Sequence, residues 1–198
     1  TTNNLPKNTI AFGININSQI EVIKEYFNKN NLSKTLLLSP KSNYIDQIDI
    51  IKNSDLKFHK RFLYDASPKK ITGEIEKLTK YRERKKDLER RIKILEVSDL
   101  YKDKQELKIL EQKHTLGEVI FDSVVVVDFG ERLKSVLTSF TFSDVSSKKV
   151  NFFTVNQWFD ESFFNEDALQ NLYFKSKNIK NLKNFSKKYL KKFNEEPN

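Results

Sequence analysis

Three short polar groups in this sequence have residue types suited to holding a ligand. The first is Asn15, Asn17 and Ser18, between an apolar stretch at 9–13 and a helical pattern. Backbone N–H groups at such a helix start, with the Ser18 hydroxyl, can receive an anionic group. The plainer role is Ser18 capping the helix. The second is Asp128, which closes the run Phe-Asp-Ser-Val-Val-Val-Val-Asp-Phe-Gly at 121–130. A buried strand ending in a polar loop that opens a helix is where open α/β sheets hold ligands. A helix-capping carboxylate or a turn residue is the alternative there. The third is Asn156, Gln157 and Trp158, which include the only tryptophan. An indole beside amides suits a polar ligand or a protein partner; with Phe159 it can equally close the end of a sheet.

Catalytic chemistry has less to stand on. There is no cysteine, so disulfides and thiolate metal sites are excluded, and with only His59 and His114 so is a multi-histidine site. The glycine-rich dinucleotide and phosphate loops, the Gly-x-Ser-x-Gly elbow and His-Glu-x-x-His are all missing. Asp128 at a strand end is superficially like the phosphoacceptor of receiver domains. Those also need an acidic pair after the first strand, where Asn15 and Asn17 stand here. The expectation is a protein without catalytic residues, cofactor or metal.

The elements that position these groups follow from hydrophobic periodicity. Four consecutive valines do not alternate, so their strand must be covered on both faces, as in the centre of a parallel sheet. Buried strands are also predicted at 9–13, 34–39 and 150–155, a more alternating one at 56–63 and a short edge strand at 169–174. Helices are predicted from Ile20, Ile23 and Phe27, from Ile45, Ile48 and Ile51, and from Leu133, Val136, Leu137 and Phe140. A lysine-rich closing helix carries Leu182, Phe185, Tyr189 and Phe193 on one face. Strand and helix alternate, which predicts βαβ units and a three-layer α/β/α fold with a parallel sheet.

A long charged segment at 67–117 interrupts this alternation. Ser67-Pro68 reads as a cap with proline at the first helical position. Ile71, Leu78, Ile92 and Tyr81, Leu88, Leu95 fall into a heptad series that Lys85 interrupts. The expectation is an inserted antiparallel helical hairpin whose first arm runs to about Val97, roughly 40 Å at about 1.5 Å per residue. Its basic cluster, with Arg82, Arg84, Lys85, Arg90 and Arg91, is the candidate contact for an acidic protein, anionic lipid or nucleic acid. Plain solvation of these charges is the alternative.

The net charge of +9 raises a nucleic-acid partner. Yet the lysines sit in two helical regions, and abundant Asn, Lys, Ile and Phe fit drift in an AT-rich genome. No apolar run approaches the roughly 20 residues that span a bilayer. The chain starts at Thr1 without an initiator methionine or a signal peptide, and reads as one lobe of a larger two-lobe protein.

Residues 10–13, 20–51 with "Lys-Thr-Leu-Leu-Leu-Ser-Pro", 121–130, and 150–174 with Asn156-Gln157-Trp158 together resemble one lobe of the type 1 periplasmic binding protein family. The ending Tyr-Leu-Lys-Lys-Phe-Asn-Glu-Glu-Pro-Asn is similar to the helix preceding the chain's return to the other lobe. The family includes branched-chain amino-acid-binding proteins that serve ABC transporters, and the related penicillin-binding protein activator lipoproteins. The resemblance implies a periplasmic or cell-envelope binding module for an amino-acid-like solute or an envelope protein. It also implies that Tyr44 contacts ligand, where packing on the neighbouring helix is the alternative. The hairpin departs from the family pattern. The rival expectation is the effector domain of a cytoplasmic nucleic-acid-binding regulator.

Overall fold

The computed structural model describes residues 16–41, 45–155, 172–173 and 179–195, without the side chains at 45–47, 68 and 179–183. Their elements run α1 (Ile16–Asn30), β1 (Thr35–Pro40), α2 (Ile45–Lys52), β2 (Lys60–Tyr64), α3 (Pro68–Leu78), α4 (Tyr81–Glu96) and α5 (Tyr101–Leu110). They continue with β3 (Ser123–Val126), α6 (Gly130–Phe142), β4 (Asn151–Thr154), β5 (Leu172–Tyr173) and α7 (Ile179–Phe193). The strand expected at 9–13 lies outside the described residues.

The five strands among the described residues are all parallel, in the order β2-β1-β3-β4-β5. The valine strand β3 is central, as its lack of alternation requires. Successive residues point to opposite faces of a strand, and the two faces bury different halves of the core. Leu36, Leu38, Val124, Val126 and Phe152 pack under α3 and α6 with Ile71, Ile75, Leu133, Val136, Leu137 and Phe140. On the other face, Leu37, Val125, Val127 and Phe153 pack under α1 and α2 with Ile20, Ile23, Phe27, Ile48 and Ile51. The result is a three-layer α/β/α fold.

The inserted segment differs from the expected two-armed hairpin. Its first arm is broken at Thr79-Lys80, where Lys80 takes a left-handed conformation with φ 52°. Before the break, α3 is an ordinary crossover helix packed on the sheet beside α6. Only α4 and α5 form a hairpin, around a small core of Leu88, Leu95 and Leu110. Ser67 is the N-cap of α3 with Pro68 behind it, but its side chain makes no cap hydrogen bond.

Arg84, expected as an exposed partner contact, is corrected to a buried anchor. It falls on the α4 face that carries Leu88 and Leu95, three and four residues being neighbours on a helix. Its guanidinium donates to the Thr79 carbonyl at 3.0 Å, the Thr115 hydroxyl at 2.8 Å and the Ser143 carbonyl. Thr115 in turn donates to Asp144. One side chain thereby ties the helix break, the exit of the hairpin and the end of α6 together.

Candidate functional site

At the carboxyl ends of the strands, the chain leaves β1 at Pro40, β2 at Tyr64 and β3 at Val126. The sheet order reverses between β1 and β3, since β1 leads outward to β2 while β3 leads the other way. That is the crevice position of doubly wound sheets. Asp128 stands there with a fully buried side chain. Its Oδ1 accepts from the Phe129 backbone N–H at 2.9 Å and from Arg132 Nε at 3.1 Å. Its Oδ2 accepts from the hydroxyl of Tyr64, a residue wholly buried at the end of β2. A buried carboxylate needs such partners, because desolvation without them costs several kcal/mol.

Asp128 thus points inward and serves the start of α6, and the group facing solvent is the one it positions. Arg132 keeps 38% of its side chain exposed, with its guanidinium carbon 5.7 Å from the centroid of the Phe129 ring, itself 45% exposed. A guanidinium held at one edge by a carboxylate and placed over an aromatic face is oriented without being buried. Such a plane accepts a carboxylate with two parallel hydrogen bonds.

Beyond the end of β1, Lys41 Nζ reaches Glu74 at 3.3 Å. The other oxygen of Glu74 accepts from the Asp65 N–H at 2.7 Å. Asp65 accepts from Lys70 Nζ at 2.8 Å and from the Ser67 N–H. These bonds, Lys70 first, hold the Asp65 carboxyl down at about 2. The carboxyl edge is therefore a mixed-charge polar surface with one arginine raised on a phenylalanine.

The other expected contacts divide. Asn17 and Ser18 lie in the first turn of α1 rather than in a loop before it, so Ser18 is not its cap residue. Asn15, Tyr44, Asn156, Gln157 and Trp158 lie outside the described residues. In the hairpin, Arg82 pairs with Glu76 at 3.0 Å and Arg90 with Asp87 at 3.2 Å. Arg91 makes a two-pronged bond to Glu106 at 2.9 and 2.8 Å across to α5. Lys85 is exposed. At the hairpin tip Ile94, Val97, Leu100 and Tyr101 are exposed as well.

Sequence reasoning missed Tyr64 and Arg132. A tyrosine at a strand end carries no local signal of its partner. Arg132 stands four residues after Asp128, a helical spacing that pairs opposite charges and that was readable.

A concave surface lies at the opposite edge of the sheet, at the root of the hairpin. One cleft of about 250 Å³ is lined by Arg84, Phe121, Asp144 and Lys148 among others, and an adjoining one of about 320 Å³ by His114, Glu118 and Lys149. Among the described residues no group of three His, Asp or Glu side chains is placed to hold a metal ion. Likewise no helix there is long and apolar enough to cross a membrane. Compared with protein-family models, with curated proteins and with solved structures, the chain matches none of them.

Proposed function

We propose that this chain is a binding module, one lobe of an extracytoplasmic protein of the periplasmic-binding kind, acting by ligand or protein capture. The observation that carries the reading is Arg132, held by buried Asp128 over Phe129 at the carboxyl edge of a parallel sheet. The ligand chemistry that fits is a carboxylate, either of an amino-acid-like solute or of an acidic side chain on an envelope protein. In a two-lobe protein the opposing lobe supplies the remaining contacts, so a single lobe binds weakly.

Ligand-observed NMR suits weak binding. Saturation transfer from the protein to a panel of amino acids and simple carboxylates is expected for carboxylate-bearing solutes. It should fall strongly in Arg132→Ala and partly in Arg132→Lys, which keeps the charge but loses the planar fork. Equal transfer in the wild type and Arg132→Ala would remove the reading.

A further inference from the structure

The helix α7 reads IKNLKNFSKKYLKKF. It carries six lysines (Lys180, Lys183, Lys187, Lys188, Lys191 and Lys192) and no acidic residue. At about 100° per residue, Phe185, Tyr189, Phe193 and Leu190 occupy one arc roughly 140° wide. Lys187, Lys191, Lys188 and Lys192 fill a separate arc of about the same width. The three aromatic rings follow one another along the helix, tilted by 46° and 43°, with centroids 5.7 Å and 4.6 Å apart. That apolar face is open: Phe185 and Phe193 are each 53% exposed and Leu190 is 45% exposed. None of the four described lysines forms an ion pair among the described residues.

We infer that α7 is an interfacial helix that docks on an anionic lipid surface. The charge complementarity decides the occupant. A helix of low mean hydropathy with aromatic and leucine side chains on one arc and lysines on the other lies in the plane of a bilayer surface. There the rings enter the headgroup boundary while the lysine stems reach up to anionic lipids. A second copy of this chain packed on the apolar face fits worse, because it would cover the rings but leave both lysine rows in solvent without a counter-charge. A nucleic acid would satisfy the lysines but leave Phe185, Leu190 and Phe193 in water. The inference is independent of the carboxylate site at Arg132.

Flotation of the whole chain with vesicles tests it. Vesicles of equal parts phosphatidylcholine and phosphatidylglycerol should carry the protein, pure phosphatidylcholine vesicles should not, and added salt should release it. Lys187→Glu with Lys188→Glu leaves the apolar face intact and should weaken binding roughly tenfold or more. Phe185→Ser with Phe193→Ser should abolish binding while the circular dichroism of the chain is kept. Failure to float with the anionic vesicles would overturn the inference. So would equal binding of the serine variant, or a dimer in sedimentation that the serine variant dissociates. Retention on soluble polyglutamate or duplex DNA as strong as on the vesicles, and unchanged in the serine variant, would reduce α7 to plain charge attraction and overturn it too.

Discussion

Asp128 shows how a single buried charge can set what its neighbours offer to solvent. Its carboxylate is occupied by Tyr64, Arg132 and the Phe129 N–H. Replacing Tyr64 with phenylalanine removes only a hydroxyl but strands one carboxylate oxygen in the interior. Tyr64→Phe should therefore cost about 1–3 kcal/mol in urea unfolding, the usual penalty for an unmet buried polar group. No loss would mean that water reaches Asp128. Asp65 offers a second test at this scale. Its carboxyl titrates at about 2, against an ordinary value of 3.8. Because the folded pKa is depressed, its contribution is full above the ordinary value and is lost as pH falls through about 2. Carbon-detected NMR titration should place its midpoint there. Lys70→Ala should move the midpoint up towards 3.8, since the Lys70 bond is the first cause of the depression.

At the scale of elements, the informative case is the inserted segment. Its heptad stripe was legible, and so was its separation from the βαβ pattern. The break was not, because Thr79-Lys80 contains neither glycine nor proline, and Lys80 adopts its left-handed conformation through tertiary context. The stripe itself also misled. The expected heptad put Lys85 at its interrupted core position and left Arg84 beside the stripe, so the charge of Arg84 read as surface. Arg84 is instead the buried residue and Lys85 the exposed one. Only the fold brings Thr115 and Ser143 to Arg84. Arg84→Met keeps the volume but leaves those acceptors unpaired. It should destabilise the protein by about 3 kcal/mol, in line with breaking a buried charged network. Hydrogen exchange should rise through α4 and α5 and stay low in β1 and β3. Uniform change across the sheet would contradict the view that Arg84 moors the hairpin.

For the whole molecule, the alternation of strands and helices and the uninterrupted valines made the parallel three-layer architecture readable. The central position of β3 followed from burial on both faces. The same logic marked the carboxyl edge as the side where open α/β sheets hold ligands and pointed to Asp128. It did not reveal that Asp128 turns inward and hands the exposed role to Arg132. That depends on Tyr64, 64 residues away in sequence, and a pairing so distant leaves no periodic trace. The strand at β2 was displaced for a related reason. Its exposed residues Lys60, Arg61 and Leu63 lie at the sheet's edge, where alternation rather than a buried run is the signal.

The most direct measurement is an amide chemical-shift map of the isotopically labelled chain during titration with a carboxylate-bearing amino acid. The account predicts shifts at Lys41, Phe129, Gly130 and Arg132, lost in Arg132→Ala. Shifts confined to Gly117, Glu118, Lys148 and Lys149, at the opposite edge, would contradict it.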